Sequence, residues 1–193
     1  MIRKRIHITG VGGQGTLMAT ALIGQAALIA GVNANLSEVH GMAQRGGIVE
    51  SGVTLGDLKD PMVSDGEADV LLGFEPVETL RAARKCSSET MVITNTTPLE
   101  PFTVSTGKEA YPDLGPPLDM LEGRVKKLVK LDASALAKKA GNILSLNIVM
   151  LGALAKYGAL PITADQMIKA IKEHTKAKFL DMNLQAFAYG YEA

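Results

Sequence analysis

The chain has 193 residues, of which 20 are basic and 20 acidic, so its formal net charge is zero. That length suffices for one domain with a full core, and the cancelled charge removes the electrostatic footprint of a nucleic-acid binder. One cysteine and three scattered histidines exclude an internal disulfide and supply no ligand set for a structural zinc or an iron–sulfur cluster.

Residues 5–9 read as a short buried strand, and a glycine loop follows it. Residues 14–30 are rich in Ala, Leu and Ile, interrupted only by Gln, Thr and Gly, which predicts a helix buried on more than one side. Gly31 stops it. A second strand over 32–39 completes a strand, glycine turn, helix, strand unit. β-Branched residues predict a strand over 47–55, then a loop or short edge at 59–63, then a strand over 69–74. Glu75-Pro76 opens a helix running to about Lys85, with proline tolerated in its first turn.

A strand is expected over 90–95. Residues 96–117 form a loop-rich excursion with a short strand at 102–105. A short helix at 118–123, a strand over 125–131 and a helix at 133–140 capped by Asp132 come next. Beyond residue 142 only helices are expected, over 146–157, 163–174 and 177–191, with Thr163 and Gln166 forming a capping box. The sum is a single α/β domain over 1–193, with a parallel or mostly parallel sheet flanked by helices and a C-terminal helical layer. Apolar runs fall short of the ~20 residues a bilayer needs, and the basic N-terminus precedes only a strand-length apolar run. The expectation is a cytoplasmic chain with no membrane or nucleic-acid partner.

Two segments carry functional information. Gly10-x-Gly12-x-x-Gly15 follows a strand and opens a helix, the context in which backbone N–H groups meet a phosphate. A dinucleotide site also needs an acid at the end of the second strand, and Glu38 stands there. Glycines at such a turn also serve close packing alone. No P-loop lysine is present. The second segment, residues 37–47, reads Ser-Glu-Val-His-Gly-Met-Ala-Gln-Arg-Gly-Gly and crowds Glu38, His40, Gln44 and Arg45 onto the exit of the second strand.

Ligands of open α/β sheets bind outside the carboxyl ends of the strands, so the two segments are expected to share one surface. Arg45 followed by two glycines suits a phosphate or carboxylate, and the same residues equally suit an ion-pair network against a partner subunit. The candidate cofactor- or partner-facing residues are Gly12, Gly13, Gln14, Gly15, Glu38, His40 and Arg45. No catalytic nucleophile and no metal site is expected: Ser37 has no evident base, and Cys86 reads as a surface thiol near a helix end. A free-standing NAD(P)- or FAD-binding oxidoreductase and a nucleotide- or coenzyme-A-sensing domain remain open alternatives.

Taken together, the two segments resemble the gamma domain of the 2-oxoacid:ferredoxin oxidoreductases, in the form found in the indolepyruvate branch. The resemblance continues through residues 68–81, Asn95-Thr96, residues 147–154 and the last helix, and so covers nearly the whole chain. It implies a Rossmann-like unit inside an enzyme that oxidatively decarboxylates a 2-oxoacid, forms acyl-coenzyme A and reduces ferredoxin. It further implies that thiamine diphosphate and iron–sulfur clusters sit on a larger partner subunit, that coenzyme A is a co-substrate, and that the isolated chain is inactive. The substrate this suggests is indolepyruvate or another arylpyruvate.

Overall fold

Ile6 and Ile8 point to one side of the first strand and are fully buried, while His7 and Thr9 point to the other and are buried as well. A strand buried on both sides must sit inside a sheet with layers on each face. In the computed structural model, which describes residues 3–41, 47–100, 104 and 106–193, that is its place. Six strands are described: β1 (Arg3–Val11), β2 (Ala34–His40), β3 (Ile48–Gly56), β4 (Ala68–Gly73), β5 (Cys86–Asn95) and β6 (Lys127–Leu131). They form one sheet in the order β2-β3-β1-β4-β5-β6.

β1, β4, β5 and β6 are parallel neighbours, whereas β3 is antiparallel to both β1 and β2. The sheet is therefore mixed. β2 does run in the direction of β1, as a βαβ unit requires, but β3 is inserted between them. The register puts Ile8 opposite Ser51 and Ser51 opposite Glu38.

Seven α-helices are described: α1 (Thr16–Ala30), α2 (Pro76–Arg81), α3 (Gly115–Glu122), α4 (Ala133–Ala140), α5 (Leu146–Tyr157), α6 (Ala164–His174) and α7 (Leu180–Glu192). α1, α4, α5, α6 and α7 close the larger core with Ile6, Ile8, Val53, Leu55, Leu72 and Ile93 of the sheet. The opposite face carries a smaller core of Leu71, Val92 and Leu128 against Ala82, Leu118 and Leu121. α5 and α7 cross at two glycines. A Cβ on Gly190 would lie 1.9 Å from the Val149 carbonyl oxygen, and one on Gly152 would lie 2.2 Å from that of Phe187.

Several expected boundaries shift. The helix opened by Glu75 is α only to Arg81 and finishes as a 3₁₀ turn, Ala82–Lys85. β5 starts at Cys86, four residues before the expected strand at 90. Cys86 does follow a helix end, as the cap of that 3₁₀ turn, but it is half-buried and not exposed, and burial pushes its thiol up to about 11. The last helix starts at Leu180, after a 3₁₀ turn at Ala177–Phe179. The Thr163–Gln166 capping box is formed. The short strand expected at 102–105 falls largely outside the described residues.

Candidate functional site

β1 ends at Val11, and the loop Gly12–Gly15 turns the chain into α1. Gly15 takes a left-handed conformation (φ 80°), which a residue with a Cβ adopts only at a cost. A Cβ there would also meet the Asn147 amide at 2.9 Å. The helix that follows has no side-chain cap and no acidic residue in its first turn, which leaves its positive end open to an anion.

The loop is held in shape by amide side chains. Gln14 accepts from the Val11 N–H through Oε1 at 2.8 Å and donates from Nε2 to the Phe74 carbonyl at 2.9 Å. The same Phe74 oxygen accepts from Asn95 Nδ2 at 3.0 Å, so the ends of β1, β4 and β5 are tied to one atom. Asn95 Oδ1 in turn accepts from the Ala133 N–H at 3.0 Å and fixes the start of α4. Asn147, at the start of α5, reaches the Gly15 carbonyl at 3.5 Å. Gln14, placed by its sequence position on the ligand-facing edge, therefore has both ends of its amide engaged in bracing. Asn95 and Asn147 are braces that local spacing does not reveal, because their partners are 21 to 132 positions away.

The two sequence segments do meet. The Gly12 N–H donates to the Gly47 carbonyl at 2.9 Å, and the Gly41 N–H donates to that of Ile48 at 3.0 Å. Arg45 lies outside the described residues, as do the side-chain atoms of His40, whose backbone closes β2. Glu38 is exposed and pairs across from Ser51, two strands from β1. With strands ~4.8 Å apart, the inserted β3 sets β2 about 10 Å from β1 instead of adjacent to it. The acid that would hold a ribose beside the glycine loop is displaced accordingly.

What the glycine loop does face is a cleft of about 360 Å³. Gly12, Gly13 and Gln14 form one wall, Thr97, Pro98 and Leu99 a second, and Ser134, Lys138, Ile143, Leu144 and Leu146 the third. Its chemistry is divided. The Lys138 ammonium suits an anion, with the Gly12 and Gln14 N–H groups bonded to the Gly47 and Val11 carbonyls, whereas Leu99, Ile143 and Leu144 are exposed hydrophobics, Leu144 at 71%. Asp132 borders it, donated to by the Thr97 hydroxyl at 2.6 Å and by the Ala135 N–H at 2.9 Å. Those bonds, the Thr97 one first, hold its carboxyl below the usual range, so it stays ionised as the cap of α4.

Behind the cleft, Glu75 is buried, caps α2 by accepting from the Glu78 N–H, and accepts from the Tyr111 hydroxyl. Burial and that carboxylate push the Tyr111 phenol upward. Glu78 is also buried, which raises its carboxyl despite its ion pair with Arg81. Neither acid opens onto the cleft walls. Among the described residues no group of three or more His, Cys, Asp or Glu is placed to hold a metal ion.

Comparison with known proteins adds to this geometry. The family model described as pyruvate ferredoxin/flavodoxin oxidoreductase matches residues 5–193. Indolepyruvate oxidoreductase subunit IorB of Methanothermobacter thermautotrophicus is 40% identical over 188 residues, covering 97% of this chain and 96% of that protein. The pyruvate oxidoreductase subunit PORC of Thermotoga maritima shares the fold, with a TM-score of 0.74 at 20% identity over 100% of this chain and 97% of that one. The 2-oxoglutarate:ferredoxin oxidoreductase of Magnetococcus marinus, solved with 2-oxoglutarate, coenzyme A and succinyl-CoA, gives the same score and identity. There the match covers 100% of this chain but only 31% of the other. With a family match that spans all but the first four residues, the chain belongs to the pyruvate ferredoxin/flavodoxin oxidoreductase family.

Proposed function

We propose that the chain is the small subunit of an indolepyruvate-type 2-oxoacid:ferredoxin oxidoreductase and works with a larger subunit. The observation that carries this is the 40% identity to an IorB subunit over essentially the full length of both chains. An iron–sulfur cluster does not fit here, and thiamine diphosphate is assigned with it to the larger subunit. A cluster needs several thiolates, and Cys86 is the only cysteine. The redox steps then belong to the larger subunit, and an arylpyruvate is the substrate class to test first.

The glycine-loop cleft is the candidate contact for coenzyme A. Lys138 meets a diphosphate, and Leu99, Ile143 and Leu144 lie alongside the uncharged arm of such a ligand. Gly12 and Gly13 serve it as a wall without side chains, Gly15 by its left-handed turn into α1, and Gln14 by holding the loop. Glu38, His40 and Arg45 are the further candidates for contact with the coenzyme or the partner.

Anaerobic purification of the tagged chain from its host tests the subunit reading. Recovery of a larger subunit, with ferredoxin reduction on adding indolepyruvate and coenzyme A, supports it. A chain that comes out alone carrying a dinucleotide sinks it. In the active complex, Lys138→Ala should raise KM for coenzyme A about tenfold with kcat little changed, the signature of lost uniform binding. An unchanged KM removes the cleft from coenzyme binding.

A further inference from the structure

The smaller core is left open at one end. Leu80, Ala83, Cys86 and Val125, at its partly buried margin, line a cavity of about 690 Å³ between α2, the Ala82–Lys85 turn and α3. That volume falls within the ~300–1,000 Å³ of small-molecule sites. Cys86 opens β5 and Val125 stands just before β6, so the cavity lies at the amino ends of these parallel strands. The glycine loop follows the carboxyl end of β1, which runs the same way as β4 and β5. The cavity and the glycine-loop cleft are therefore at opposite edges of the sheet.

The chain is shaped to open here. From the Ala68–Cys86 pair to the Val70–Met91 pair the ladder advances two residues on β4 and five on β5. The surplus forms a bulge at residues 87–89, and bulges re-aim side chains at sheet edges and beside sites. Ser87 and Ser88 of this bulge line the cavity. Thr90 is fully buried and pins it: its hydroxyl accepts from the Ser87 N–H at 2.8 Å and donates to the Ala68 carbonyl. A strand start held in this way is a built feature and not a frayed end.

The lining combines two chemistries. Leu80, Ala83, Met120 and Leu121 supply an apolar wall, and Arg84 and Arg124 supply two guanidiniums. No acid stands in the lining. Asp65, outside it, holds Arg84 at 3.2 Å, and Arg124 has no ion-pair partner among the described residues. Burial keeps Cys86 a neutral thiol, so it brings no competing charge. A guanidinium meets a carboxylate with paired N–H donors and stacks on aromatic faces, and a methionine sulfur is a favourable neighbour for a ring. We propose that this cavity is a second ligand site, for a small aromatic carboxylic acid whose carboxylate meets Arg84 and Arg124 and whose ring lies on the apolar wall. The site stands apart from the coenzyme cleft and does not depend on the subunit reading.

The test is titration of the full chain with indole-3-acetate, followed by the NMR shifts of its backbone amides. Shifts at residues 86–90 and 123–125 are expected to saturate with a dissociation constant on the order of 0.1–1 mM, the range open to a ligand of about a dozen heavy atoms. Indole-3-acetamide, which lacks the charge, and inorganic phosphate, which lacks the ring, should each bind at least tenfold more weakly. The double variant Arg84→Gln, Arg124→Gln should lose at least tenfold in affinity for the acid, and so should Met120→Glu, which sets a like charge in the wall. All three side chains are exposed, so both variants should melt with the wild type. Equal binding of phosphate reduces the site to an anion patch, and equal binding of the amide reduces it to an apolar one; either result overturns the proposal. Shifts confined to residues 12–15, or unchanged affinity in both variants, place the acid elsewhere and overturn it too. So does the absence of binding at ~10 mM acid to a chain that melts cooperatively.

Discussion

The two faces of the sheet are built on different principles. On the larger face, Ile6, Ile8, Val53, Leu55, Leu72 and Ile93 meet helices α1 and α4 to α7, and shape decides the packing. On the smaller face the same strands present His7, Thr9 and Thr54. Their Nε2, Oγ1 and Oγ1 atoms are three of the four buried side-chain atoms that find no hydrogen-bond partner among the described residues. The fourth, Ser51, lies on the larger face. A buried polar atom without a partner carries a desolvation cost, so the smaller face is the natural place to gain stability and the larger face the place to lose it.

The largest loss should come where α5 and α7 cross. Gly190→Ala places a methyl against the Val149 carbonyl and cannot be relieved by rotating a side chain, because the obstacle is backbone. A fall of about 3 kcal/mol in unfolding free energy by urea titration is expected. A fall below about 1 kcal/mol would show that the helices separate easily and that close packing on this face is not decisive.

Next comes Asn95→Ala, which leaves the Phe74 carbonyl with one donor fewer and the buried Ala133 N–H with none. The expected cost is about 2 kcal/mol, together with a loosened glycine loop visible as faster amide exchange at Gly12 to Gly15. Loss of stability without that local change would separate the brace from the cleft.

Thr54→Val goes the other way. The side chain is fully buried, its hydroxyl has no partner, and valine keeps its shape. Stability should rise by about 1 kcal/mol, or a few degrees in Tm for a chain of this size. A decrease would reveal that the hydroxyl is bonded in solution.

The smallest effect is the pH dependence contributed by His7. Burial lowers its pKa below the ordinary 6.5, helped by Lys85 and Arg84 and opposed by Glu50, whose carboxylate lies 3.8 Å away. The sign follows from linkage: as pH falls through the unfolded value near 6.5, the unfolded chain takes up the proton first. The His7 contribution is therefore intact above pH ~6.5 and is lost on acidification below it. His7→Gln should flatten the stability profile between about pH 7 and 5. An unchanged slope would mean the Glu50 pairing fully offsets burial.

Local patterns were enough to read most elements of the fold. Strands and helices from β1 to α7 follow from apolar spacing, from Gly31 as a stop, and from Asp132 and Thr163 as caps. The glycine loop was legible for the same reason: it is a local backbone requirement. The candidate site was legible only in part. Gln14 is conspicuous in the sequence, but its use as a brace depends on Phe74, 60 positions away. Lys138, Thr97 and Leu144, which complete the cleft, carry no signal of their own.

Propensity, period and capping act within a few residues, so the α/β class, the layered helices and the glycine turn could be read from local sequence. The insertion of β3 between β1 and β2, which moves Glu38 away from the loop and makes the sheet mixed, is visible only in the assembled fold. Strand order is set by which edges pair across the chain, and alternation along a strand is the same for either neighbour. Met18 and Leu28 of α1, both exposed, follow the same logic: the composition of the helix predicts burial on every side, and only the fold shows which side this chain leaves open.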